Sequence, residues 1–317
     1  MSVIYLEKRN PFWLIGLSAA AIVDLLTPQP AYSIPRQCIP IAYVLSDGER
    51  DFKRGSLLCQ GDTIQRSLTV LCFATGKIVA LGSGKIPPTG CGLPKETGPQ
   101  ACGNRFQFCV RPRGTNAANL QILEPYGSNT TKLRPRFSWR SVPGATSYRV
   151  RVLGTVSWSV ATPQSQLAYP ENQPALKPGG AYRIVITAHR ENQTLLSGEQ
   201  TINVLPQSRI SEINRAIAAL QQLDLDPDEA TVMGIDSVYR ANGLLDESIA
   251  ALAARVKAGS RSAQVYRLLS ERYRLVGEDE MAKQLDQAAQ RLTVSESLDS
   301  QQSADQAAPT STNALQK

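Results

Sequence analysis

The spacing of apolar and polar residues changes along the chain, and the changes mark its parts. From 34 to 113 apolar residues fall in short alternating runs, as at 68–73 and 106–110, between stretches rich in Gly and Pro. Such runs predict short strands joined by tight turns, with Gly61-Asp62 and Thr75-Gly76 placed to reverse the chain. A small-residue linker at 114–119 leads to a second set of alternations over 120–206. There Phe137 and Trp139 share one face, as do Tyr148, Val150 and Val152, and then Tyr182, Ile184 and Ile186. From 207 to 296 the period lengthens to that of an amphipathic helix, with Ile210, Ile213, Ile217 and Leu220 on one stripe. Asp226-Pro227-Asp228 is a helix-start signal within it. The final stretch, 297–317, is mostly Ser, Gln, Ala and Thr and reads as a disordered tail.

The helical part repeats itself. Tyr239-Arg-x-x-Gly243 returns as Tyr273-Arg-x-x-Gly277, an offset of 34 residues, and Ser248 returns as Ala282. A helix–turn–helix unit of that period resembles the tetratricopeptide repeat, giving two repeats, 229–262 and 263–296. Asp236 and Ser270 stand where that family has glycine in its first helix. The helix at 208–223 is expected to pack as a further layer, because two repeats fall below the usual stable number. The pattern Phe-x-Trp139, Pro-Gly-Ala-x-x-Tyr148 and Leu-x-Pro-Gly-x-x-Tyr182 resembles a fibronectin-III or immunoglobulin-like β-sandwich. Tyr182 occupies the place of a corner tyrosine, whose hydroxyl ties a loop to the backbone. The stretches 52–64 and 68–81 resemble the FecR-type β-domain of exported bacterial proteins. The fold expected is therefore multidomain: an all-β disulfide-linked domain, a fibronectin-III-like sandwich, then α-helical tetratricopeptide-type repeats. The order of parts resembles envelope proteins of cyanobacteria that join such modules.

Residues 1–33 read as a signal peptide, which changes the expected environment. Lys8 and Arg9 precede an apolar run over 12–26, and Pro28 and Pro30 are followed by Ala31-Tyr32-Ser33, a small-residue cleavage box. An uncleaved N-terminal membrane anchor is the alternative. All six cysteines, Cys38, Cys59, Cys72, Cys91, Cys102 and Cys109, lie in the first domain with no Cys-x-x-Cys pair among them. In an exported chain they read as three disulfides of unassigned pairing rather than as a metal site, hence an oxidising periplasmic or envelope location.

Candidate chemistry is sparse. The chain has 34 Lys and Arg against 27 Asp and Glu, a net charge of +7, and a single histidine, His189, with no nucleophile motif beside it. Gly82-Ser-Gly-Lys85 lacks the spacing and hydroxyl of a phosphate loop. The acids at 224–229 and 278–280 sit at helix starts, where they meet the helix dipole. No cofactor and no metal is expected, and nucleic acid is not an expected partner.

What remains is surface. Arg149, Arg151 and Arg183 alternate outward in the sandwich and share one basic face if their strands are neighbours, a face suited to an anionic envelope polymer or membrane surface. The tetratricopeptide resemblance implies a partner groove lined by Met233, Ser237 and Arg240 in the first repeat and by Gln264, Arg267, Glu271 and Arg274 in the second. These features point to a non-catalytic exported adaptor that holds a protein or peptide partner through its repeats. The alternatives are an envelope carbohydrate-binding protein, stacking sugar on Trp158, or a hydrolase with an unrecognised carboxylate pair.

Overall fold

Among the described residues, fourteen strands and six α-helices follow one another in the order of the sequence parts. The computed structural model describes residues 38–46, 52–87, 89–91, 119–191 and 193–307, with side chains to 294. The signal segment, Cys102 and Cys109, and residues 308–317 lie outside the described residues, all of which belong to one compact unit.

The first region contains β1 (Pro40–Val44), β2 (Leu57–Cys59), β3 (Thr63–Ile64), β4 (Leu68–Cys72), β5 (Lys77–Leu81) and β6 (Gly84–Lys85). An antiparallel sheet runs β2-β1-β4-β5, with β3 and β6 paired as a separate ribbon. The expected reversals occur. Asp62 accepts from Cys59 N at 2.8 Å beside Gly61, and Gly76, at φ +61°, closes the β4–β5 turn on the Cys72 carbonyl. Cys38–Cys59 ties the lead-in of β1 to β2, and Cys72–Cys91 ties the end of β4 to the loop after β6. Each loop so closed is about 20 residues long (separations 21 and 19), which raises stability by roughly 3 kcal/mol through the unfolded state. Such support suits a small sheet.

The second region contains β7 (Ile122–Glu124), β8 (Asn129–Thr130), β9 (Phe137–Trp139), β10 (Ser147–Gly154), β11 (Trp158–Thr162), β12 (Gln166–Leu167), β13 (Ala181–Arg190) and β14 (Gln193–Val204). Two sheets, β11-β10-β13-β14-β8 and β12-β9-β7, enclose one apolar core. Phe137 and Trp139 from one sheet meet Tyr148, Val150, Val152, Ile184 and Ile186 from the other, as the alternation predicts. The Tyr182 hydroxyl accepts from Lys177 N at 2.7 Å, which is the corner expected of it.

The third region is helical. It contains α1 (Gln207–Gln221), α2 (Pro227–Glu229), α3 (Asp236–Ala241), α4 (Leu245–Lys257), α5 (Ala263–Leu275) and α6 (Asp279–Ala307). Asp226 caps α2, accepting from Asp228 N and Glu229 N, with Pro227 in the first turn. Between α2 and α3 the chain widens into a π-helical turn, Ala230–Ile235, in which Asp236 N reaches back to the Thr231 carbonyl. Gly234 lies in that turn against Leu220 of α1, where a Cβ would stand 2.7 Å from Leu220 Cδ2.

The helix pairs close alike. Gly243 (φ +67°) and Gly277 (φ +77°) end the first helix of each pair in the left-handed region. Leu244 N then reaches the Tyr239 carbonyl at 2.9 Å and Glu278 N the Tyr273 carbonyl at 3.0 Å. Ser248 and Ala282 are fully buried at matching places, as close packing of helices requires.

The repeat tyrosines take different neighbours: Tyr273 stands edge-on to Tyr126 of the sandwich at 6.2 Å, and Tyr239 packs into a core shared with the first region. The last helix also continues past 296 to Ala307, where a disordered tail was expected. No Gly or Pro interrupts 297–307, so nothing stops the helix there.

The regions are fused by shared packing. Tyr43, Leu71 and Phe73 from the first sheet meet Ile213, Ala216 and Leu220 of α1, Val238 of α3 and Leu244. The opposite face of that sheet, with Ala42, Val44, Leu58 and Val70, packs on Ile64 and Ile86. Strand β1 is therefore covered on both sides.

Candidate functional site

Where the first sheet approaches the helices without meeting them, it leaves a cleft of about 390 Å³. One wall is Ile39, Pro40 and Ile41 at the start of β1, Gln60 after β2, Phe73 and Ala74 after β4, and the 89–91 loop. The Cys72–Cys91 disulfide fixes that loop against the sheet. The other wall is Val232 and Met233 from the π-helical turn, Asp236, Ser237 and Arg240 of α3, and Gln264 and Leu268 of α5. Ile39 and Gln264 are exposed, so the cleft opens to solvent.

Charges in the helical wall are unequally answered. Asp236 is buried and accepts from Arg272 Nη2 at 2.8 Å, Arg272 Nε at 3.4 Å and Ser248 Oγ at 2.5 Å. The pair is 7% and 3% exposed, so each ion depends on the other for its solvation. Arg240 is half-buried, and its side chain makes no hydrogen bond or ion pair among the described residues. Burial pushes its pKa below the usual arginine value; Asp236 and Glu271 pull the other way, and Arg272 adds to the depression.

Four of the seven groove residues read from the repeats, Met233, Ser237, Arg240 and Gln264, line this cleft. The other three do not. Arg267 donates to Thr293 Oγ1 of α6 at 2.7 Å, Arg274 pairs with Asp286 of α6, and Glu271 lies exposed with Oε2 at 3.7 Å from Arg272 Nη1. Arg240 and Arg274 hold equivalent repeat positions yet face different neighbours, because the first sheet stands beside α3 and α6 beside α5. Asp236, Val232 and Leu268, and the whole β-wall, were invisible to the repeat pattern. The one clue was an acid at 236 where the resembling family places glycine.

A second set of side chains joins the sandwich to α4. Glu247 Oε1 accepts from Thr130 Oγ1 (2.9 Å), Thr131 N (2.7 Å) and Thr131 Oγ1 (2.9 Å). Asp246 accepts from Tyr126 N at 3.0 Å and from Lys132 Nζ at 2.5 Å. Burial works against the Lys132 ammonium, but Asp246, Glu247 and Glu124 outweigh it and hold its pKa above the ordinary value. These acids begin α4, and their partners lie on another region.

Arg149, Arg151 and Arg183 do share one outer face, since β10 and β13 are neighbours with Arg149 opposite Thr187 and Leu153 opposite Arg183. Glu199 stands 4.0 Å from Arg183 on that face. Trp158 is not free to stack on a sugar. It lies opposite inward-facing Val152, is 8% exposed, and donates from Nε1 to the Tyr169 hydroxyl at 2.9 Å. His189 sits half-buried where the β13–β14 register shifts, its Nε2 buried without a partner among the described residues. Among the described residues no group of His, Cys, Asp or Glu forms a metal site.

No family model and no curated protein matches this chain. Among solved structures it is similar to the solution structure of the fn3 domain of human collagen alpha-1(XX) chain. Identity is 16%, the match covers 28% of this chain and 82% of that one, and the TM-score is 0.22. The two disulfides point to an oxidising environment. Among the described residues no helix is long and apolar enough to cross a membrane.

Proposed function

We propose that this is an exported, non-catalytic adaptor of the periplasm or cell envelope that holds a protein partner in the cleft between its first β-sheet and its helix pairs. The observation that carries the reading is the cleft itself. It combines apolar walls at Ile41, Phe73, Met233 and Leu268 with a few polar groups at Ser237, Arg240 and Gln264, the composition of a recognition site. Among the described residues its one lining carboxylate is Asp236, already bound to Arg272, whereas glycoside hydrolysis needs two acids. The helix pairs resemble tetratricopeptide repeats, the FecR-type likeness of the first sheet fits an exported protein, and the signal-like start with a disulfide-stapled domain fits passage through an oxidising compartment.

The test is partner capture from envelope extract with chain 34–317, against a Met233→Asp variant that folds normally by circular dichroism. A protein retained by the first and lost by the second is expected. Equal recovery by both would overturn the cleft assignment, and turnover of an envelope glycan by the purified chain would overturn the non-catalytic reading. The face of Arg149, Arg151 and Arg183 is proposed as a secondary attachment to anionic surfaces. Charge reversal at Arg149 and Arg151 is expected to abolish binding to anionic vesicles, and unchanged binding would remove that attachment.

A further inference from the structure

The arginines of the sandwich fall into two kinds. Arg134 donates to the Pro170 carbonyl, Arg136 and Arg140 reach Glu124 and Glu278, and Arg190 donates to the Gly144 carbonyl. On the outer face of β10 and β13, Arg149 and Arg151 are exposed, and their side chains make no hydrogen bond or ion pair among the described residues. Arg183 has Glu199 at 4.0 Å with both side chains exposed, a contact worth little in water. The fold itself makes little use of these three guanidinium groups.

Strand register sets them in a row. Arg149 lies opposite Thr187, Arg151 opposite Val185 and Leu153 opposite Arg183, so each arginine occupies its own rung, two residues from the next. At about 3.4 Å per residue the rungs are about 7 Å apart, and the three charges extend about 14 Å along the strands. Beside them the face is small and neutral, with Ser159 and Ala161 on β11, Thr187 on β13, and Ser197 and Thr201 on β14. Glu199 is the one acid on it among the described residues.

The kind of ligand follows from what the face lacks. Among the described residues the exposed large apolar side chains are Ile39, Leu275, Met281 and Val294, none of them on these strands. Firm seating in a bilayer needs apolar side chains that enter it, and a protein interface needs an apolar centre. Tyr148, Trp158 and Tyr182 point into the core, so no ring of these strands is presented to stack on a nucleic-acid base. A linear polyanion needs none of these. Its successive acid groups meet successive rungs in charge-assisted contacts, and linked contacts hold where a single one does not. The hydroxyls of Ser159, Thr187, Ser197 and Thr201 are suited to a sugar's own hydroxyls.

We propose that this face binds a linear polysaccharide bearing carboxylate groups, laid along β10 and β13 with its acids on Arg149, Arg151 and Arg183. This rests on the reading of the face as an anionic attachment and names the class of polymer held.

The test is calorimetric titration of the full chain, its disulfides formed, with a galacturonate decamer. Arg149→Glu with Arg151→Glu is expected to weaken binding about 10-fold or more at an unchanged melting temperature. Arg215→Glu with Arg261→Glu changes the net charge equally at exposed sites of the helical region and is expected to weaken it less than about 3-fold. Galacturonate monomer at equal carboxylate concentration should not compete. Phosphatidylglycerol vesicles at equal charge should bind more weakly than the decamer.

No binding of the decamer, equal losses in the two double variants, or competition by the monomer would overturn the proposal. Vesicles that bind more tightly than the decamer, and lose binding with Arg149→Glu and Arg151→Glu, would leave the attachment reading standing while this inference falls. Failure of decamer and vesicles together would remove both.

Discussion

Two arginines of the same helical region need not behave alike, and Arg240 and Arg272 show why burial must be read together with pairing. Arg272 and Asp236 satisfy each other inside the helix pairs, so removing either leaves a buried charge alone. Arg272→Gln is expected to cost roughly 3–5 kcal/mol in denaturant unfolding, whereas Arg240→Gln is expected to cost nothing measurable. Tyr43 makes a different point. Its phenol donates to Glu229 Oε1 at 2.9 Å, and burial first, then that bond and the Glu229 charge, raise its pKa above the ordinary 10.0. A raised folded-state pKa contributes stability that is whole below pH 10.0 and is lost as pH climbs toward the folded value. Tyr43→Phe should therefore flatten the alkaline fall in stability above that pH, measured by unfolding between pH 8 and 11 (roughly the window set by the phenol). Part of the slope should remain, because burial also raises Tyr239 and Tyr273.

At the scale of elements, the start of α4 is a plug in the sandwich. Glu247→Ala leaves the Thr130 hydroxyl and the Thr131 hydroxyl and N–H without their acceptor. A loss of roughly 2–3 kcal/mol is expected from chemical denaturation, with Glu247→Gln retaining part of it. This element also shows what sequence can and cannot reveal. The alternation of Tyr148, Val150 and Val152 is legible because a strand's two faces follow from local period alone, and the pairing of β10 with β13 follows from the fold class. Gly243 and Gly277 are legible because a left-handed helix end favours that residue. Glu247 carries no such local signal, since its partners lie more than a hundred residues away. Trp158 looked available because the short β11 carries little pattern, while its inward aim depends on register with β10. The cleft was half legible: the repeats placed Met233, Ser237, Arg240 and Gln264, and nothing periodic could place the sheet across from them.

For the whole molecule, shared cores replace independent beads. Phe73 and Tyr43 cover α1 and α3, Ile210 of α1 joins the sandwich core, and Asp246 and Glu247 tie α4 back to it. The chain should accordingly unfold in one calorimetric transition, with strand and helix signals coincident. Phe73→Ala should lower that common midpoint, at a cost of about 3–5 kcal/mol, rather than release a separately melting β-domain. Reduction of both disulfides should shift the same midpoint down. Two resolved transitions would show that the regions are autonomous.

The π-helical turn at Ala230–Ile235 sets the phase of everything after it. Each α-helical residue advances the azimuth by about 100°, so shortening that turn by one residue would swing Asp236, Ser237 and Arg240 round the axis together. Deleting Met233 should hence uncouple Asp236 from Arg272 and rotate Arg240 out of its wall in a single stroke.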